Sequence, residues 1–155
     1  MSAASGFVRY RGASGRVYEL AAKPFNSGAE AEVLDVHGRP DLVAKVYFKP
    51  LDARRRKVEA MVRSVPDKDM QAHLAWPLDA LYRLDGAFAG FVMRRCAGNG
   101  IELGMLYDPA DARAHGFDFG KQLGIAGMLS DITACLHARR VCIGDFNPRN
   151  VLVFL

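Results

Sequence analysis

With 155 residues, the chain has the length of one domain or of a piece of a larger one. Half of its residues are hydrophobic and a quarter are charged, which excludes a disordered or fibrous chain and points to a globular one. A net charge of +4 suits a phosphate ligand and is too small to indicate nucleic acid.

The first half reads as short strands. Arg16 to Ala21 is mixed and partly alternating, with Val17 and Tyr18 as strand formers. Glu32 to Val36 sets Val33 and Leu34 among polar neighbours, and Leu42 to Phe48 is apolar apart from Lys45. Asn26-Ser27-Gly28 and His37-Gly38-Arg39-Pro40 carry the turn residues between them. A helix is expected from Asp52 as N-cap, with Val58, Met61, Val62 and Val65 as one apolar stripe and Pro66 ending it. Glu59 lies at the edge of that stripe. The basic run Arg54-Arg55-Arg56-Lys57 reads as a solvated helix face.

Two more strands follow. One lies near Ala75 to Tyr82, with Pro77 restricting it to an edge or a bulge, and the other runs from Ala87 to Met93 after the turn Asp85-Gly86. Arg94 to Gly116 reads as a linker with one short helix. The longest helix is expected from about Asp118 to Arg139, burying Ile125, Met128, Leu129, Ile132 and Leu136, with Arg139-Arg140 at the negative end of its dipole. Short strands Val141 to Ile143 and Val151 to Phe154 bracket a final loop. The order implies an α+β fold in which a small sheet lobe, residues 1–93, precedes a helical part, residues 94–155.

Cys96, Cys135 and Cys142 have no metal-ligand spacing and read as free thiols of a cytoplasmic protein. Met1 opens no basic-then-apolar leader, and no apolar stretch approaches about twenty residues, so neither secretion nor membrane insertion is expected.

The chemistry concentrates near the end. In Gly144-Asp145-Phe146-Asn147-Pro148-Arg149-Asn150, an Asp precedes an Asn by five positions and an apolar run follows. Phosphoryl transfer needs phosphates held, charge neutralised and a hydroxyl aimed in line. Asp145 is the candidate base for that hydroxyl and Asn150 the candidate metal ligand. Lys45, a cation inside an apolar strand, is the candidate phosphate contact, and Glu59 is the carboxylate that would orient it. The turn from Asn26, Ser27 and Gly28 through Ala31 to Val33 is the candidate phosphate cover, because small residues let backbone N–H groups approach a ligand. Asn26 and Ala31 occupy the positions of its outer glycines.

In order and spacing these segments resemble the protein-kinase-like superfamily. Within it the chain is similar to a bacterial kinase-like family associated with helix-hairpin-helix segments or tellurite-resistance operons. The matching segments are Gly28 to Val33, Val43-Ala44-Lys45, Lys57 to Met61, Ala75-Trp76-Pro77, Gly90 to Met93, Leu136-His137 and Gly144 to Val153. The resemblance implies a kinase-type N-terminal lobe followed by a partial helical lobe. It implies ATP and Mg²⁺ binding in the cleft between lobes, with Ala44 and the hinge residues Met93, Arg94, Arg95 and Cys96 near the adenine, and transfer to Ser or Thr hydroxyls of a protein substrate. Ile143-Gly144 replaces the usual His-Arg, and the chain ends before an Asp-Phe-Gly metal motif. The expectation is therefore a kinase fold cut short after its catalytic loop, with exposed apolar surface on the long helix that favours self-association. Two further readings stay open: a nucleotide-binding pseudokinase acting as a regulatory module, and a small-molecule phosphotransferase of the aminoglycoside-kinase type.

Overall fold

A computed structural model describes residues 6–96 and 98–154 of the chain. These divide into two compact units, Met1–Arg95 and Cys96–Leu155. The boundary falls two residues after the expected one. The architecture is mixed α and β, with four α-helices and a curled antiparallel sheet among the described residues.

In the first unit, seven strands pair antiparallel: β1 (Phe7–Gly12), β2 (Val17–Ala21), β3 (Asn26–Ser27), β4 (Ala31–Asp35), β5 (Leu42–Tyr47), β6 (Pro77–Tyr82) and β7 (Phe88–Arg94). Their order across the sheet is β2-β1-β6-β7-β5-β4-β3. The two ends curl towards each other. Leu20 of β2 bridges Val36, just past β4, and the His37 N–H donates to the Glu19 carbonyl at 2.8 Å.

Period-2 alternation explains the two faces. Leu42, Ala44 and Val46 of β5 join Tyr18, Leu20, Leu34, Leu81 and Val92 in the core inside the curl. The opposite face of β6 and β7 presents Ala80, Phe88 and Phe91 to Val58 of α1 (Asp52–Arg63). Burial of these apolar side chains supplies the main folding force, at roughly 25 cal/mol per Å² removed from water.

A single carboxylate lies inside this packing. Asp79 of β6 is 4% exposed. It accepts from the Tyr18 hydroxyl at 3.0 Å, the Ser14 N–H at 3.1 Å and the Ser14 hydroxyl at 2.5 Å. These bonds offset its desolvation and tie the β1–β2 turn to β6. Burial, and then the bond to Asp79, push the Tyr18 hydroxyl above its ordinary pKa.

Most elements of this unit follow the sequence pattern, with specific differences. Strand β1 is additional. Its arginines break the apolar run, yet Arg9 pairs across the ladder with Glu19 at 2.9 Å while Tyr10 packs against the core. Asn26–Ser27 pairs with Val33 and Glu32 as strand β3, where only a turn was expected. Leu51, not Asp52, is the N-cap of α1; Asp52 instead pairs with Arg55 and Arg56. The helix ends at Arg63, so Val65 falls outside the stripe and is exposed. A short helix, α2 (Lys68–Gln71), follows; Asp67 caps it by accepting from the Met70 N–H at 2.9 Å. Pro77 starts β6 beside a register shift, as its missing N–H requires.

The second unit holds β8 (Ile101–Glu102), α3 (Pro109–Ala114), α4 (Phe119–Ala138) and β9 (Leu152–Val153). The supposed linker is more ordered than its glycines suggest. Ile101 pairs with Val153 and Glu102 with Leu152, and Leu106, Ala112, Phe117 and Val153 form a small core. Asp108 caps α3, accepting from the Ala110 N–H at 2.7 Å. Asp118 caps α4, accepting from the Lys121 N–H at 2.8 Å. Residues 141–143 form no strand, and β9 pairs with β8 instead. On α4, Leu136 is buried and Ile125, Leu129 and Ile132 are half-buried, whereas Met128 is exposed, contrary to the expected stripe. No helix among the described residues is long and apolar enough to cross a membrane.

Candidate functional site

Strand register decides which first-unit candidates share a surface. Lys45 stands opposite Val33 on one side and Phe91 on the other, and Val43 stands opposite Met93. Val33, Val43, Lys45, Phe91 and Met93 therefore line one face of the sheet. Ala44 points the other way, fully buried in the core inside the curl. Val43, two positions before Lys45, lies on the Lys45 face instead. The period of two in the strand already separates Ala44 from the face that carries Lys45.

Lys45 is half-buried, and its ammonium makes no hydrogen bond or ion pair with another described residue. Its expected partner is held elsewhere. Glu59 accepts from the Tyr82 hydroxyl at 2.5 Å and from Arg55 at 2.9 Å. The Tyr82 bond, then the Arg55 bond, hold its carboxyl below the usual carboxylate range. Tyr82 answers in the opposite sense: burial, then the bond to Glu59, push its hydroxyl up to about 12. Arg55 also grips Asp52, and its guanidinium is held more firmly charged by both carboxylates. The Arg55–Glu59 pair was legible as an i,i+4 spacing; Tyr82, twenty-three residues further on, was not.

The candidate phosphate cover is a tight turn. The Gly28 N–H donates to the Ala31 carbonyl at 2.9 Å, and the Phe25 N–H donates to the Val33 carbonyl at 3.1 Å. Asn26 and Ser27 are exposed, Ala31 is buried and Val33 is half-buried. A Cβ on Gly28 would meet its nearest neighbour, the Ala31 carbonyl oxygen, at an ordinary 3.8 Å. The fold therefore does not itself demand glycine there.

Of the expected hinge residues, Met93 packs beside Val58 and Phe91, and Arg94 and Cys96 are exposed. Arg95 is committed within the first unit. It pairs with Asp35, donates to the Pro40 carbonyl at 2.9 Å and lies 5.0 Å from the centre of the Phe25 ring. That guanidinium braces the ends of β4 and β5.

In the second unit the loop before β9 brings its candidates together. Asn150 donates its side-chain amide to Asp145 Oδ2 at 2.9 Å and to the Asp145 carbonyl at 3.0 Å. Asn147 donates to Asp145 Oδ1 at 2.7 Å while its own oxygen accepts from the Arg149 N–H at 3.0 Å. Pro148–Asn150 forms a 3₁₀ turn, and the Gly104 N–H anchors it by donating to the Pro148 carbonyl at 3.2 Å. The result is a preorganised loop in which Asn147 and Asn150 both hold the Asp145 carboxylate, and Asn150 Oδ1 makes no hydrogen bond with another described residue. Asn147, which was not among the expected site residues, holds the Asp145 carboxylate.

No group of three or more His, Cys, Asp or Glu side chains gathers to hold a metal among the described residues. One carboxylate and one amide oxygen are the donor set on offer, and such oxygen donors fit Mg²⁺, which keeps waters and takes phosphate oxygens for the rest. Comparison with family models, with curated proteins and with solved structures returns no match to this chain.

Proposed function

We propose that the chain is a kinase-like module for ATP- and Mg²⁺-dependent phosphoryl transfer to Ser or Thr hydroxyls, with its metal and base residues on the Asp145–Asn150 loop. The observation that carries this reading is the pairing of Asn150 with Asp145 through both the side-chain oxygen and the carbonyl. It ties the Asn150 side-chain amide to the Asp145 carboxylate, on a loop whose Arg149 and Asn150 N–H groups are bonded to Asn147.

Local geometry gives each residue its part. Asp145 Oδ2 would take the proton of an acceptor hydroxyl, and Asn147 and Asn150 hold the carboxylate in one rotamer for that transfer. Asn150 Oδ1 would hold Mg²⁺, which would supply charge neutralisation on the phosphates. Lys45 would meet phosphate oxygens as a compact cation, and the half-buried Val33 and Met93 would offer an apolar surface to the base. The strand order β3-β4-β5-β7-β6, with α1 inserted between β5 and β6, supports the kinase-type N-lobe.

A second reading, a nucleotide-binding regulatory module without catalysis, is favoured by one feature. Glu59 is committed to Tyr82 and Arg55 while Lys45 has no carboxylate partner. The two readings share nucleotide binding and differ in turnover.

The test of the shared part is thermal unfolding with millimolar ATP and Mg²⁺. Binding at about one hundred times Kd adds roughly 2.7 kcal/mol, so the melting temperature should rise by several degrees. Lys45→Ala should abolish the rise. An unchanged melting curve in the wild-type chain sinks both readings. Release of ADP in the presence of a Ser/Thr peptide, lost in Asp145→Asn, then separates the enzyme from the binding module.

A further inference from the structure

The β1–β2 ribbon carries a feature that nucleotide binding leaves unused. Beside it opens a concavity of about 310 Å³, within the size range of small-ligand sites. Arg9 and Arg16 line it from the ribbon, and His37 and Arg39 line it from the turn after β4. The exposed Val17 contributes an apolar patch to the same wall. Glu19 is its single lining carboxylate, so three guanidinium groups face one negative charge. Counting Asp41 outside the wall, which pairs with Arg39, still leaves a positive excess.

Two of the arginines are held in place by carboxylates. Arg9 binds Glu19 through Nε and Nη2, and Arg39 binds Asp41 through Nε and Nη2. Each pairing fixes the plane of a guanidinium and leaves Nη1 for another acceptor. Arg16 forms no ion pair with a described residue, and its charge acts on the Tyr18 hydroxyl at the base of the ribbon. The Phe7 ring stacks at a tilt on His37, with centres 4.3 Å apart, and steadies the imidazole at the rim. The fold holds this arrangement together, because the bridge from Leu20 to Val36 and the bond from the His37 N–H to Glu19 join the two walls.

From this geometry we infer a binding site for a small phosphate monoester, separate from Lys45 and from the Asp145 loop. Planar guanidinium forks match the tetrahedral face of a phosphate, and an open wall with an apolar patch accepts the organic group that carries it. A long polyanion is disfavoured, because Glu19 and Asp41 interrupt the basic surface on both sides.

Isothermal titration of the full chain with phenyl phosphate tests the inference. Saturable binding is expected, tighter than that of inorganic phosphate, which lacks the group for the apolar patch. Arg16→Gln should weaken it by roughly tenfold or more, as should Arg39→Gln, as expected for loss of a charge-assisted hydrogen bond. Arg11→Gln, on the same strand as Arg9 but outside the concavity, should leave it unchanged. So should Lys45→Ala, which keeps this result independent of the fate of nucleotide binding. The mutated arginines are exposed, and an unshifted melting temperature confirms that the variants fold. No saturable binding up to about 10 mM, an affinity too weak for a built site, would overturn the inference. So would an equal loss in Arg11→Gln, or a single-stranded oligonucleotide binding more tightly than phenyl phosphate.

Discussion

At the scale of single residues, Glu59 and Tyr82 form the most consequential pair. Their pKa shifts run in opposite directions, so their bond stabilises the fold within a defined window. Glu59 is depressed: its contribution is present above the unfolded value near pH 4.3 and is lost as pH falls through the folded value. Tyr82 is raised: its contribution is present below about pH 10 and is lost as pH rises through about 12. Tyr82→Phe removes the bond. The melting-temperature difference between wild type and Tyr82→Phe should therefore be largest from about pH 5 to pH 10 and shrink on both sides. A difference that stays flat from pH 3 to pH 11.5 would show that the hydroxyl does not hold Glu59. The same substitution has a functional edge: it frees one of the two bonds that keep Glu59 from other cations.

At the scale of elements, two backbone positions are constrained in opposite ways. Gly90 of β7 sits opposite Val46, and a Cβ there would run into the Lys45 carbonyl. Strand β5 approaches too closely for any side chain. Gly90→Ala should cost about 1–3 kcal/mol, the range for overpacking a tight site, and should be read by denaturant unfolding. Because the clash falls on Lys45, the same variant should also weaken any ligand that Lys45 holds. The end of α4 presents the opposite case. Arg140 adopts φ 58°, a left-handed conformation unusual for a residue with a Cβ. The Val141 N–H donates to the Leu136 carbonyl at 2.9 Å and the Arg140 N–H to the His137 carbonyl at 2.8 Å, the paired bonds of a Schellman cap. Glycine suits that position, so Arg140→Gly should stabilise the chain by about 0.5–1 kcal/mol in the same assay. Equal or lower stability would mean that the Arg140 side chain contributes more than its backbone strain costs.

For the whole molecule, the two units differ in how well they cover themselves. The first has apolar clusters on both faces of its sheet. The second has one small cluster, and its longest helix leaves Phe119 76% exposed and Leu123 64% exposed, one turn apart. Such neighbours on one helix face favour association with another apolar surface. Sedimentation velocity should show concentration-dependent self-association that Leu123→Glu reduces. A single monomeric boundary across a hundredfold concentration range, on the order of micromolar upward, would show that the face stays solvated.

Much of this was readable in advance. Local periodicity placed β2, β4, β5, β6, β7, α1 and α4 within a few residues, because each buries one face and each has a turn or cap residue where it stops. The Asp145-to-Asn150 spacing marked the loop whose side chains do meet. What the sequence could not contain is any relation between distant segments. Strand β1 is stabilised by a cross-strand ion pair and a buried Asp79 some sixty-five residues away from Ser14, not by its own pattern. Strand β9 finds β8 across fifty residues. Pleat and register moved Ala44 into the core and Val43 onto the face of Lys45. Packing of α1 against β6 gave Glu59 to Tyr82. The sequence by itself determined which segments form elements, since that depends on neighbours along the chain. Only the tertiary structure decided which side chains share a surface, since that depends on long-range pairing, where one residue of register turns a side chain from solvent to core.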